Sequence, residues 1–480
     1  MAVVPFPGSD KKRSSAPWQS AICLQMVSTK NVMIEVTLPF GGKLGMFQER
    51  IAKWIDSYDQ NGYLHGSILI ACHNNIVINQ GFGMANWEHQ VPNTATTKFR
   101  IGSITKAFTA MSLFQLHEKK RLNINDYVDR YLPGYPNGDR ISIFHCLTNT
   151  SGIPNYTSSP DFWPLQMRLP STLDQLIDSF KVRELEFEPG SRFAYSNSGY
   201  ALLTAIIEKV TGMRYSDYIQ EHICLPSGMY HTGCDDGVKL VPGLASGYSF
   251  YEEPIHPAYA DLSFPLGAYG LYSTTEDLMI WDTVLKNSRL LRNDLLEKMF
   301  TPYLGSYACG WMVSEINGRK CLHHFGDISG YFCDFLRFVE DDVTIIFLSN
   351  MSVVPVTHLS REIAKLIFEG SAALPLPVPV EPIQWNKIDS AVGQYIFENE
   401  TNKILDISLN NHELYLTVPK MYGVLYKFKL VPISYSSTQT TFLTEMIHEQ
   451  LVFLYSASGE ITFVVYTDYF GQSHTLHKVE

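Results

Sequence analysis

A chain of 480 residues is too long for a single hydrophobic core, so two or more domains are expected. Hydrophobic residues make up 45% and charged residues 18%, the mix of an ordinary globular protein rather than a fibrous or low-complexity one. The formal net charge of −11 opposes binding to nucleic acid or to acidic membrane surfaces, and no basic run is long enough to reverse it.

Residues 1–37 read as a disordered or appended segment. Lys11, Lys12 and Arg13 are followed by a polar stretch with no apolar core of a secretory signal, and Met26 and Met33 are alternative starts. No segment approaches the ~20 apolar residues of a membrane span. The expectation is a soluble, cytoplasmic protein. Eight cysteines are scattered without Cys-x-x-Cys or other metal-like spacing, and apolar neighbours suggest buried free thiols.

A domain is expected over 38–372. A helix is predicted from near Gly45, with Phe47, Ile51, Trp54 and Ile55 on one face. Strands Ser67–Cys72 and Ile76–Asn79 flank Asn74-Asn75, a pair that tolerates the backbone of a tight hairpin. Ile104, Ala107, Phe108, Met111, Phe114 and Leu116 recur at helical spacing after Gly102. From about Asp126 to Leu304, helices alternate with loops rich in proline and glycine, and Tyr200–Thr211 reads as a helix closed by Gly212. Phe332–Phe338 and Val343–Leu348 are predicted as adjacent strands joined through Glu340-Asp341-Asp342, and Ser360–Glu369 as a closing helix. Strands, then helices, then strands again suggest an α+β domain whose sheet combines both ends of this region.

Residues 373–384, with proline at nearly every second position, form a stiff extended linker. Beyond it, Ile404–Leu409, Leu414–Val418, Val452–Tyr455 and Ile461–Tyr466 alternate with period two around turn residues. Residues 385–480 are therefore expected to be a small all-β domain, a sheet or barrel.

Three short motifs carry chemistry. Ser103-Ile104-Thr105-Lys106 opens a helix, where positions i and i+3 share a face and the lysine nitrogen reaches the serine hydroxyl. A serine needs such a base to become a nucleophile, and the helix N-terminus favours a developing oxyanion. Tyr195-Ser196-Asn197 lies in a loop before a helix; a tyrosine beside a lysine can act as base and then acid, and the asparagine can offer its amide to a substrate. His323-His324-Phe325-Gly326-Asp327 precedes a strand and can supply an oxyanion N–H. No third and fourth ligand joins the two histidines and Asp327, so no metal and no other cofactor is expected.

Together with Leu147-Thr-Asn-Thr-Ser-Gly-Ile-Pro154, Gly267 to Leu278 and Cys309-Gly310-Trp311, these motifs resemble the serine β-lactamase and penicillin-binding-protein family, in the branch of class C β-lactamases, D-aminopeptidases and family VIII esterases. The resemblance covers about Gly45 to Glu369. It implies a β-lactamase/transpeptidase-like fold, an antiparallel sheet flanked by helices plus an all-helical region, followed by a barrel-like appendage. It further implies Ser103 as acylated nucleophile, Lys106 and Tyr195 as its proton shuttle, Asn197, His324 and Gly326 as substrate-binding residues, and the N–H groups of Ser103 and Asp327 as the oxyanion hole. Two positions depart from the pattern. Asp327 stands where relatives have a small residue, and Asn149 where many have histidine. His324 replaces the lysine of Lys-Thr-Gly, which disfavours tight recognition of a carboxylate.

The expected activity is hydrolysis of small amides or esters, such as D-amino-acid peptides or short acyl esters, through an acyl-enzyme. A penicillin-binding protein or β-lactamase is a second reading, and a non-catalytic ligand-binding homologue a third. The partner in each case is a small molecule or short peptide. No Gly-x-Ser-x-Gly is present to suggest an α/β-hydrolase.

Overall fold

The computed structural model describes residues 44–73, 75–376, 385, 388–419 and 424–479. The expectations for 1–37, for Asn74 and for the linker beyond residue 376 lie outside the described residues, apart from Trp385. Residues 45–480 cluster as one compact unit.

A six-stranded sheet, antiparallel throughout, runs in the order Met312–Ile316, Arg319–Ile328, Tyr331–Phe338, Val343–Ser349, Gly66–Cys72, Asn75–Phe82. It joins strands from both ends of the region, as the sequence order implied. Gly66–Cys72 and Val343–Ser349 are buried at every residue. That is why both read as unbroken apolar runs rather than alternating ones. The helices Leu44–Asp59 and Val356–Glu369 begin earlier than their apolar patterns indicated or match them closely, with Ile51, Trp54 and Ile55 buried as expected.

The helix Thr105–Glu118 is buried on all sides from Thr105 to Leu116, so its 3–4 periodicity marks the centre of the helical region rather than one face. Phe108 stacks on Trp281 at 4.5 Å between ring centres. Gly212, with φ of 72°, ends the helix Asn197–Thr211 in the left-handed conformation that glycine adopts without strain.

Eight antiparallel strands from Gly393–Phe397 to Ser473–Lys478 close on themselves through pairing of Glu413–Pro419 with Leu425–Tyr435, forming a barrel. At Asn411 and His412 φ is 49° and 65°, so the turn predicted near Asn410-Asn411 has positive φ at both central residues. The barrel meets the α+β region where Lys427 pairs in parallel with Tyr251.

One buried ionic cluster ties the helices to the sheet. Asp282, at 0% exposure, accepts from Arg337 Nε at 2.6 Å and Thr344 Oγ1 at 2.7 Å, and lies 2.7 Å from Lys286 Nζ. Burial opposes its ionisation, yet Arg337 and Lys286 hold its carboxyl below the usual range. Asp282→Ala should therefore cost about 3–5 kcal/mol, because it leaves Arg337 buried without its counter-ion. A depressed folded pKa gives stability that is full above the unfolded carboxylate pKa and lost as pH falls through the folded value. Denaturant melts should show the wild-type advantage at pH 7 shrinking in strong acid; an unchanged midpoint at pH 7 would contradict the role.

Candidate active site

Ser103 sits in the 3₁₀ turn Gly102–Ile104 that leads into Thr105–Glu118. N–H groups in the first turn of a helix have no partner within it, which leaves that of Ser103 available to an oxyanion. Gly102, with φ of 50°, makes this turn possible. A Cβ on it would fall 2.4 Å from Asp327 N, and one on Gly326 would fall 1.8 Å from Ile101 O. The two glycines let Arg319–Ile328 lie against the nucleophile turn. Gly326, expected to bind substrate, is buried behind that turn and is not among the residues lining the cavity.

Lys106 is wholly buried. Its Nζ lies 2.7 Å from Asn197 Oδ1, 2.8 Å from Ala268 O and 3.0 Å from Ser103 Oγ. No carboxylate among the described residues contacts it, and burial drives its pKa well below the usual lysine value. A neutral amine has two hydrogens and one lone pair. In that neutral form the hydrogens would satisfy the two shorter contacts and leave the lone pair facing the Ser103 hydroxyl. The rings of Tyr195 and Tyr200, at 4.7 and 5.2 Å, give the nitrogen some compensation whenever it becomes charged.

Tyr195 donates its hydroxyl to Ser103 Oγ at 2.8 Å. Burial raises its pKa, so the resting phenol keeps its proton. Asn149, whose role the sequence left open, brackets this tyrosine. Its carbonyl accepts from Ala194 N at 2.9 Å and its Oδ1 from Ser196 N at 3.1 Å, with φ of 55°. Asparagine tolerates that backbone better than most residues. Asn197 begins its helix, holding Lys106 with Oδ1 and donating through Nδ2 to Thr157 Oγ1 at 3.1 Å.

His324 is 1% exposed. Its Nδ1, 2.6 Å from the carbonyl of Phe325, must carry the proton, so Nε2 accepts from the Tyr307 hydroxyl at 3.1 Å. Burial, then the nearby Lys106, pushes its pKa down to about 3, and burial lowers His323 to about 4. Both rings are neutral.

Asp327 owes its N–H direction to strand register. The Ser329-Gly330 turn makes Ile328 and Tyr331 the hydrogen-bonded pair, so Asp327 opposite Phe332 is a non-bonded pair. Its N–H therefore points away from Tyr331–Phe338, toward Gly102 and Ser103. The neighbouring strand stops pairing at His323, which leaves this edge open.

Ser103, Tyr195, Asn197, His324 and Asp327 line a cavity of about 640 Å³. Phe162, Trp163, Phe193, Phe264 and Tyr307 contribute to a mostly apolar lining. Its charged lining groups are Asp261 and Asp327, and no lysine or arginine lines it among the described residues. Burial opposes ionisation of Asp261, but hydrogen bonds from Ser263 and Tyr259 hold its pKa below the usual value. Among the described residues no group of three His, Cys, Asp or Glu is placed to hold a metal ion.

The Beta-lactamase family model matches residues 51–366, which contain all of these groups. The chain belongs to the beta-lactamase family. Penicillin-binding protein 4* of Bacillus subtilis (strain 168) is 29% identical over 438 residues, covering 84% of this chain and 93% of that protein. PbpX of the same organism is 34% identical over 262 residues; the match takes in 54% of this beta-lactamase-family chain and less than two thirds, 65%, of PbpX. The fold is shared with the octameric penicillin-binding protein homologue from Pyrococcus abyssi, at a TM-score of 0.60 and 24% identity over 90% of this chain and 100% of that one. It is also shared with the D-amino acid amidase from Ochrobactrum anthropi SV3, at 0.59 and 22% over 68% and 99%. No helix of the described residues is long and apolar enough to cross a membrane.

Sequence reasoning singled out Ser103, Lys106 and Tyr195, which the fold brings together, but missed Asn149, Thr157, Ala268 and Tyr307 as their neighbours. The signal for Asn149 was its place within Leu147 to Pro154. Asn149→Ala should leave the Ser196 N–H unsatisfied at about 1–3 kcal/mol and loosen Tyr195. Steady-state kinetics should show kcat reduced about tenfold with KM little changed; a pure stability loss with full kcat would contradict positioning.

Proposed function

We propose that this protein is a serine hydrolase that forms an acyl-enzyme on Ser103 and cleaves small esters or amides. The observation that carries the reading is the placement of Ser103 Oγ between Lys106 Nζ at 3.0 Å and the Tyr195 hydroxyl at 2.8 Å. In acylation the Ser103 proton passes to the Lys106 lone pair as Oγ bonds to the substrate carbonyl carbon. The carbonyl oxygen becomes an oxyanion held by the N–H groups of Ser103 and Asp327. Collapse breaks the bond to the leaving group, which takes the Tyr195 proton, and the Lys106 proton restores the phenol. Water then repeats the sequence against the acyl group.

Substrate charge follows from the lining. A mostly apolar lining, a neutral His324 and, among the described residues, no lysine or arginine favour uncharged compounds, D-amino-acid amides or short acyl esters among them. The penicillin-binding reading has the names of the relatives in its favour, but among the described residues the cavity lining offers a β-lactam carboxylate no lysine or arginine.

Ser103→Ala should abolish turnover of p-nitrophenyl esters and aminoacyl amides, and labelling by a fluorophosphonate, while keeping the fold. Wild-type-like turnover would remove Ser103 from the mechanism. Acylation needs the neutral amine, so kcat/KM should be full above the depressed pKa of Lys106 and fall as pH drops through it.

Asp327→Asn should raise acylation by anionic penicillins about tenfold relative to neutral esters, the scale of one charge in a partly solvated cleft. Both rates are to be measured at fixed ionic strength. Equal changes for the two classes would show that the carboxylate does not set charge preference.

A further inference from the structure

The substrate cavity continues past Asp327. A second compartment of about 250 Å³ shares Trp163, Met167, Asp327 and Ser329 with the first. Its far wall belongs to the barrel: Tyr426 and Phe428 come from the strand Leu425–Tyr435, with Tyr469 beside them. The α+β region holds that wall in place. Tyr426 donates to Ser352 Oγ at 3.2 Å, Lys427 Nζ lies 2.5 Å from Glu252, Glu252 N donates to Lys427 O at 2.8 Å, and Phe428 stacks on Phe250 at 5.7 Å.

We propose that this compartment receives the far end of the substrate's acyl group, so that the barrel sets which acyl chains are accepted. The inference rests on the serine hydrolase reading above, and the direction of the substrate follows from it. A leaving group must meet the Tyr195 hydroxyl, and Tyr195 lines the larger cavity but not this compartment. The oxyanion N–H belongs to Asp327, which lines both. A carbonyl held there with its leaving group toward Tyr195 sends its other substituent past Asp327 to the barrel wall. Aromatic rings and the aliphatic Val353, Val354 and Val424 dominate the lining, and the Asp327 carboxylate stands at its threshold. The acyl group that fits is uncharged and apolar, an aliphatic chain of medium length or an aryl group.

Two variants alter the compartment without touching the catalytic side chains. Val424→Trp fills it, and Tyr426→Ala enlarges it. In the full chain carrying Ser103→Ala, calorimetry with straight-chain primary amides from butanamide to decanamide should show affinity rising about threefold to fourfold per methylene until the compartment is full. The rise should stop at shorter chains in the Val424→Trp background and continue to longer ones with Tyr426→Ala. In the active chain, Val424→Trp should lower kcat/KM for p-nitrophenyl octanoate about tenfold and leave p-nitrophenyl acetate unchanged. The same length dependence in all backgrounds would overturn the proposal. A length dependence that shifts as expected, in a chain that acylates none of the esters, would uphold the compartment as an apolar-chain site and overturn the hydrolase reading instead.

Discussion

A lysine taken entirely out of water must either find a counter-ion or give up its proton. Among the described residues Lys106 has no carboxylate in contact; its hydrogen-bond partners are an amide oxygen, a backbone carbonyl and the Ser103 hydroxyl. That choice of partners fixes the roles of the others. Asn197 must turn its oxygen to the amine, which commits its nitrogen to Thr157 and the pocket. The carbonyl of Ala268 must point inward, which places the short helix Leu266–Tyr269 against the nucleophile helix. Tyr195, on the other side of Ser103, stays a phenol because burial opposes the phenolate. A single desolvated amine thus accounts for an asymmetric site, and in the proposed mechanism one neighbour of Ser103 takes a proton and the other gives one.

The same economy of charge extends to the opposite wall. His324 is neutral because it is buried, and its tautomer is set by the carbonyl of Phe325. Among the described residues the charged groups lining the cleft are carboxylates. The proposed oxyanion hole would be built of backbone, and its geometry depends on Gly102 and Gly326 allowing a strand and a helical turn to touch. Any side chain at either glycine would part the two N–H groups.

Local chemistry was legible in the sequence where it is local in space. Ser103 and Lys106 lie one helical turn apart, so spacing alone joins them. Tyr195 could be placed beside them only through resemblance, because its position depends on Asn149 and Ser196 in hydrogen bonds that no periodicity encodes. The outward N–H of Asp327 follows from the parity of the ladder after Ser329-Gly330, a signal present in the sequence but readable only once the strand ends are known. Phe332–Phe338 and Val343–Leu348 were found because buried strands are rich in apolar residues, with Asp334 and Arg337 as the exceptions in the first. In the barrel, strands such as Gly393–Phe397 and Leu425–Tyr435 escaped notice. Pro432 and a register shift before Ser434 break the alternation of the second, and the first is short. The helix Thr105–Glu118 showed the opposite failure: a periodic pattern suggested one apolar face where the fold buries all of them.

The barrel strand Leu425–Tyr435 reaches the cleft because Lys427 and Tyr251 pair across the boundary, so the appendage and the catalytic region share a wall. The account still turns on the protonation of one residue. Lysine labelled with ¹³C at Cε and ¹⁵N at Nζ would report Lys106 directly by NMR, assigned by comparison with Lys106→Arg. A neutral-amine shift at pH 7, moving to the ammonium position only on acidification, is the predicted result. An ammonium shift that persists to the pH where surface lysines titrate would contradict the account, since Lys106 would then hold no lone pair for the Ser103 proton.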